Sequence, residues 1–288
     1  MKFGIVPINI TRSPERMVEL ARKAEAAGVE SVWTFEHVVM PVDYASRYPY
    51  ASEGKMPGTP PETPFLDPFV ALTYVAAHTT TLRLGTGVSI LPQANPLYFA
   101  KQAASLDVLS GGRLLLGLGA GWLREEYAAL GVPFDRRGAR FDDYLAALKQ
   151  VWSGEVVEHH SNFLDWSGFK SYPLPLQQPH LPLIIGGDAD AALARVAAYG
   201  DGWFAPSNDL GQLAARLDRL RALAALASRD PSTIEITVLW PFVHEGAAGV
   251  IARYEALGVT RLICPLATLG ERNPLNGVDR LAEVIAAS

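Results

Sequence analysis

Eight short aliphatic runs, each followed by a segment with helically spaced apolar residues, set the tightest limit on what this chain can fold into. The runs are FGIVPI (3–8), SVWTF (31–35), LRLGTGVSI (82–90), RLLLGLGA (113–120), PLIIGG (182–187), DGWFAP (201–206), IEITVLW (234–240) and RLICPL (261–266). They are continuously apolar rather than alternating, as parallel strands covered on both faces must be. The first intervening segment carries full helix punctuation: Ser13 as N-cap, Pro14 in the first turn, Met17, Val18, Leu20, Ala21, Ala24 and Ala27 at helical spacing, and Gly28 as the stop. Further helices are expected near 68–79, 96–109, 138–152, 188–199, 209–227, 246–257 and 278–287. Eight β–α pairs in 288 residues predict an α/β fold of the (β/α)8 TIM-barrel type, as a single domain over 1–288. An open doubly wound sheet is the runner-up. Pro7, Pro92, Pro206, Pro241 and Pro265 fall at strand ends, where no further ladder donor is needed.

Two connections are too long for a plain barrel, giving insertions after strand 2 and before strand 5. Residues 36–67 follow the second strand and so lie at the C-terminal face, where barrel active sites are built. Tyr44, Tyr48 and Tyr50 there can stack on a ligand or pack an otherwise structureless loop. Residues 153–181 begin on the opposite face, and VVEHHSNFLDWSGF reads as a β-hairpin. His159 and His160 are neighbours on a strand, so they point to opposite sides and do not share a metal. No metal site is expected.

Net charge is −5, which does not suggest a nucleic-acid partner. No apolar run reaches the roughly 18 residues of a membrane span, and MKFGIVPINI reads as a strand, not a signal peptide. Cys264 is the one cysteine, set in the apolar run RLICPL. It reads as a buried inert thiol, and a reducing cytoplasm is the simplest location.

GRLLLGLGAGW (112–122) superficially resembles a dinucleotide fingerprint. The spacing Gly117, Gly119, Gly121 is wrong for GxGxxG, three β–α units precede it, and the next strand is about 60 residues on. In a barrel these glycines sit at the C-terminal end of strand 4. They leave main chain open to a flat ligand, or they let a small-residue strand fit its neighbours. LGTGVSILP ends strand 3 in the same manner. Gly186 and Gly187 end strand 5 and lead into a helix with Asp188 at its start, read as an N-cap. Free N–H groups at a helix start favour a phosphate.

His37, in WTFEHVV after strand 2, is the best candidate for proton chemistry, because imidazole titrates near neutrality. Without context a structural histidine is the commoner case. His244, past strand 7, is a weaker second candidate; His78 and His180 are poorly placed.

FEHV, LGTGVSILP, GRLLLGLGAGWLREEYAALGVPFDRRGARFDDYL and LPLIIGGDAD after QQPH together resemble the bacterial luciferase-like superfamily of flavin and deazaflavin oxidoreductases, most closely its coenzyme F420 branch. The resemblance implies a TIM barrel with the cofactor ring at the C-terminal mouth. It implies a non-proline cis peptide bulging against the ring, mapped to Gly87-Val88 beside Thr86. It further implies His37 near the reactive ring face, Gly119, Ala120 and Gly121 along the cofactor, and Gly186, Gly187 and Asp188 near its phosphate. Many relatives are homodimers. The deazaflavin sugar-phosphate dehydrogenases of this family place a glutamate where Ala120 stands, and a tryptophan where this chain reads VVMP, so sugar-phosphate oxidation is not expected. Glu125, Asp135, Arg136, Arg137, Arg140 and Asp142 read mainly as local ion pairs and caps, with Arg137 or Arg140 able to reach a partner subunit.

The expected activity is hydride transfer between coenzyme F420 and a small organic substrate, with His37 moving the proton. The alternatives are an FMN-dependent monooxygenase fed by a flavin reductase, a non-catalytic flavin-binding protein, and a barrel binding some other phosphorylated ligand.

Overall fold

A computed structural model describes residues 1–269 and 273–287. Its elements run β1 (Lys2–Val6), α1 (Pro14–Ala26), β2 (Ser31–Thr34), α2 (Pro68–Ala76), β3 (Arg83–Thr86), α3 (Pro96–Leu109), β4 (Leu114–Leu118), α4 (Arg124–Ala129) and α5 (Arg137–Val151). They continue with β5 (Val157–His160), β6 (Asp165–Phe169), β7 (Leu183–Gly186), α6 (Asp190–Tyr199), β8 (Gly202–Ala205) and α7 (Leu210–Leu226). The last are β9 (Glu235–Leu239), α8 (Ala247–Ala256), β10 (Arg261–Pro265), α9 (Leu266–Leu269) and α10 (Pro274–Ala287).

Eight of the strands close into a parallel barrel in the order β1-β10-β9-β8-β7-β4-β3-β2. The expected TIM barrel is therefore the fold, with both insertions where the sequence puts them. The second insertion carries the antiparallel β5–β6 hairpin, in which His159 faces inward onto Asp143 (3.0 Å) and His160 outward onto Asp165 (2.6 Å). Helix starts follow the caps in the sequence. Ser13 accepts from Arg16 N–H, Asp67 from Val70 N–H, and Asn95 from Leu97 and Tyr98 N–H, each with proline in the first turn. Among the described residues no helix is long and apolar enough to cross a membrane.

Inside the barrel, Val6, Trp33, Leu115, Ile184, Phe204 and Ile263 form a separate apolar cluster. Trp33 dominates it. Its indole N–H donates to Ser31 Oγ (2.8 Å) and its ring lies 5.6 Å from that of Phe204. The N-terminal end of the barrel is closed by Arg261, which donates to Glu30 (2.7 and 2.9 Å), Glu235 (3.1 Å) and Thr237 (3.1 Å). Burial alone would weaken this guanidinium as a base, but its two carboxylate partners outweigh that and raise its pKa.

Several element boundaries differ from the sequence reading. Strand 3 stops at Thr86 rather than running to 90, leaving one isolated bridge, Ser89 to Leu118. The last helix starts at Pro274 rather than 278, with Asn273 accepting from Leu275 N–H (3.1 Å). Helix α4, only six residues long, was not foreseen. Cys264 is fully buried in β10, where desolvation raises its thiol pKa far above the usual range, as its apolar setting implies.

A Cβ at Gly85 would lie 2.2 Å from the Trp33 ring. Gly85→Ala is therefore expected to cost about 1–3 kcal/mol through displacement of the indole. Urea unfolding followed by tryptophan fluorescence measures it, and an unchanged midpoint would contradict this packing.

Candidate active site

The C-terminal rim is organised by residues 87–90, which follow β3 through a cis Gly87-Val88 peptide, the position the family resemblance picks out. This segment is stitched across to β4: Ser89 N–H donates to Gly117 O, Gly119 N–H to Ser89 O (both 2.8 Å), and Thr86 Oγ1 to Gly117 O (2.7 Å). The side chains of Val88 and Ile90 then lie over β4 and β7. A Cβ at Gly119 would come within 2.6 Å of Val88, one at Gly186 within 3.0 Å of Val88, and one at Gly121 within 2.8 Å of Ile90. At Gly117 it would sit 1.8 Å from Thr86 O. This corrects one expectation. The glycines are not bare main chain left open for a ligand. They make room for Val88 and Ile90, and Val88 is the apolar surface presented at the mouth, packed against the interior cluster.

At the fifth barrel strand, Gly187 (φ 119°) turns the chain towards α6, and its carbonyl accepts from the Trp203 indole N–H (2.8 Å). Asp188 is not the N-cap. The helix begins two residues later, Ala189 occupies the cap position without a side-chain bond, and the Asp188 carboxylate is taken by Arg216 (3.1 Å). Arg216 also holds Asp190 (3.0 Å), as does Arg219. These arginines neutralise both carboxylates at the helix start.

His37 lies at the end of β2, with a side chain 8% exposed. Its Nδ1 lies 3.1 Å from Glu126 Oε2, and Glu126 Oε1 accepts from Val38 N–H (2.6 Å) and Val39 N–H (3.4 Å). Glu126 is 2% exposed and stands in α4. One buried carboxylate thus fixes both the ring and the chain that carries it. With Nδ1–H donating to Glu126, Nε2 is left as the reactive nitrogen. Phe65 (centroids 5.4 Å apart) and Trp122 (6.1 Å) flank the imidazole edge to face. Trp122 is in turn covered by Tyr44 (5.4 Å) and Tyr48 (5.2 Å), and Tyr48 by Tyr50 (5.4 Å). The tyrosines of the long loop thus pack over Trp122 and wall the site. The loop is pinned at two further places. Glu125 Oε1 accepts from Ala45 and Ser46 N–H (2.7 and 3.1 Å), and buried Asn9 bonds both Phe35 and Leu66 main chain.

Glu36 completes the cluster. Its carboxylate accepts from Ile90 N–H (3.2 Å), so it ties β2 to the 87–90 segment. Burial pushes its pKa up to about 7, with the Glu126 and Asp67 carboxylates adding to the rise and the Ser89 hydroxyl and Ile90 N–H opposing it. Two polar groups nearby in sequence, Ser89 Oγ and the Gln93 amide, are buried without a hydrogen-bond partner.

Of the other histidines, His78 bonds Tyr74 O, His180 bonds Leu181 O, and His244 pairs with Glu283 (2.9 Å) on α10. A hollow of about 370 Å³ between α8 and α10, lined by His244, Ala247, Glu283 and Val284, shares no residue with the mouth. The charged segment after α4 is satisfied within the chain. Arg124 pairs with Asp135, Arg137 donates to Gly121 O, Arg140 to Pro92 O, and Asp142 pairs with Arg195.

The family model described as luciferase-like monooxygenase matches residues 1–260, and the chain belongs to this bacterial luciferase-like family. It is 38% identical, over 85% of its length and 83% of the relative's, to an uncharacterised protein of Mycobacterium tuberculosis. It is 30% identical to an F420-dependent hydroxymycolic acid dehydrogenase of the same organism, over 80% of this chain and 59% of that one. It is also 32% identical to an FMNH2-dependent dimethylsulfone monooxygenase of Pseudomonas putida, over 50% of this chain and 41% of that one. The fold matches that of the coenzyme F420 dependent tetrahydromethanopterin reductase from Methanopyrus kandleri with a TM-score of 0.78 at 15% identity, covering 98% and 97% of the two chains.

The sequence names His37 and the glycine-rich rims as candidates. It does not mark Glu126, Glu36, Trp122 and Phe65 as site residues, although FEH and GWLREE contain three of them. Glu126→Ala removes the acceptor of the Val38 N–H and frees the imidazole, at a cost of about 1–3 kcal/mol. Trypsin is expected to cut the variant faster at Arg47 and Lys55. Wild-type cleavage rates would show that Glu126 does not hold this loop.

Proposed function

We propose that the protein is an oxidoreductase that transfers a hydride between coenzyme F420 and a small uncharged organic substrate bound against His37. The observation that carries this reading is the His37–Glu126 pair at the barrel mouth, walled by Phe65 and Trp122. The 30% identity to a relative named as F420-dependent supports the choice of cofactor.

The residues present fit such a group. Val88 offers an apolar surface whose form depends on the absent side chains of Gly119 and Gly186. In this reading Thr86, Gly87 and Val88 support one face of the ring, and Gly119, Ala120 and Gly121 border it. Gly186 and Gly187, with Asp188 held by Arg216, receive the phosphate at the start of α6. Bound there, a deazaflavin supplies or accepts a hydride.

The chain's own work is positioning and proton movement. Glu126 holds Nδ1–H, so Nε2 takes the proton of the substrate oxygen in oxidation, forming the imidazolium, and the imidazolium Nε2–H gives it back in reduction. Phe65, Trp122 and the tyrosines above them keep water from the reacting atoms. The buried carboxyl group of Glu126 disfavours an anionic substrate beside the imidazole.

The second reading, an FMN-dependent monooxygenase supplied by a separate reductase, is favoured by the identity to an FMNH2-dependent enzyme over half of this chain. Parallel fluorescence titrations with F420 and FMN separate the two: tighter binding of F420 is expected, and preference for FMN selects the monooxygenase. In the enzyme so loaded, His37→Ala is expected to lower kcat roughly a hundredfold to ten-thousandfold while leaving cofactor Kd within a few-fold. Unchanged kcat would remove His37 from the chemistry.

A further inference from the structure

We propose that residues 44–56 form a lid, folded on itself, that caps α4 through Ser46. Closing the lid and fixing His37 are then one event, and Ser46 is a positioning residue that acts through Glu126.

The feet of this segment are fixed to the barrel. Glu126 holds the Val38 and Val39 amides at one end. At the other, Leu66 N–H donates to Asn9 O (3.0 Å) and Ile10 bridges to Phe65. Between them, 44–56 is closed by bonds to itself. Tyr48 N–H donates to Gly54 O and Gly54 N–H to Ala51 O (both 2.9 Å). Met56 N–H donates to Tyr44 Oη (3.1 Å). Lys55 Nζ donates to Tyr44 O (2.6 Å) and lies 3.8 Å from the centre of the Tyr44 ring. Among the described residues, the hydrogen bonds and ring contacts of 44–56 with the barrel and its helices all go to Trp122, Arg124 and Glu125. A compact loop with internal bonds and one patch of attachment moves as a unit.

That patch is the start of α4. The helix has Leu123 at its cap position and no side-chain bond there. The Arg124 N–H, one of the four donors that a helix start leaves over, donates instead to Ser46 Oγ (3.0 Å). The lid thus supplies from a distance the hydroxyl that Ser13 supplies locally to α1. In return, Glu125 Oε1 accepts from the Ala45 and Ser46 amides. One residue further along, Glu126 bonds Val38 N–H and the His37 ring. A helix of six residues cannot stand on its own hydrogen bonds, so loss of the Ser46 bond loosens the turn that carries Glu126. Trp122 joins the same parts by packing: Tyr44 and Tyr48 lie against it on one side and His37 on another. The tip of the lid reaches towards the β7 rim. Partial burial of the Tyr50 ring raises its phenol pKa to about 12, with Tyr48 and the Asp188 carboxylate adding to the rise.

The inference deepens the reading of His37 as the proton carrier, but its test reads main-chain exchange without cofactor, so the two fail separately. Amide hydrogen exchange of the full chain is followed residue by residue by NMR. In the wild type, a lid that opens as a unit breaks the bonds of Ala45 and Ser46 to Glu125 and leaves those of Tyr48 and Gly54 intact. The Ala45 and Ser46 amides are therefore expected to be less protected than those two. Equal or higher protection would mean that the segment opens by melting, and would overturn the lid. In Ser46→Ala, Val38 N–H is expected to exchange roughly two- to thirtyfold faster, the effect of a removed cap, with Tyr48 and Gly54 unchanged. Ser46→Thr, which keeps a hydroxyl, is expected to bring Val38 back near the wild-type rate. An unchanged Val38 rate in Ser46→Ala, or no recovery in Ser46→Thr, would overturn the coupling.

Discussion

The contact between Val88 and the glycines of β4 and β7 is the constraint on which the mouth of this barrel depends. A parallel barrel brings every strand end to one rim, and side chains from neighbouring strands compete there for the same space. Here β3 continues past its ladder as residues 87–90, and its apolar side chains lie over the adjacent strands. Only glycine at 117, 119 and 186 permits this. The result is a firm apolar ledge at the top of a core already filled by Trp33 and Phe204. Any planar ligand entering from above meets that ledge, not a void.

The surroundings of His37 are built on the neighbouring strand end by a different device. Carboxylates reach across elements to bind main-chain amides: Glu126 holds 37–39, Glu125 holds 45–46 and Glu36 holds Ile90. Each fixes, by hydrogen bonds to main-chain N–H groups, a segment that carries no regular structure of its own. The long insertion is therefore ordered by α4 and by its aromatic packing on Trp122. A helix of six residues becomes the organiser of the site because two of its carboxylates, Glu125 and Glu126, reach outwards to loop backbone.

How much of this could be read beforehand follows from the range of each interaction. Strands and helices depend on local patterning and caps, so the eightfold alternation yielded the barrel and placed both insertions. The position of His37 at the mouth was legible because it follows a barrel strand directly; its carboxylate partner was not. The glycines were legible as special, and close fit to neighbouring strands was one of the two reasons offered; which neighbours was not legible, since that lies in the register of β3 against β4, with partners about 30 residues apart. Glu126 escaped notice because it meets Val38 across 88 residues and sits in a helix too short to show periodicity. Asp188 was misassigned as a cap because the helix starts two residues later and a distant arginine claims the side chain.

The central claim is that the ledge at 87–90 and its neighbouring rims form the seat of a planar redox cofactor. Hydrogen–deuterium exchange of the full chain, with and without F420 and with and without FMN, tests this most directly. The account predicts slowed exchange at 87–90, 119–122 and 186–190 with the cofactor that binds. Protection confined to the hollow between α8 and α10, or none with either compound at saturating concentration, would contradict it.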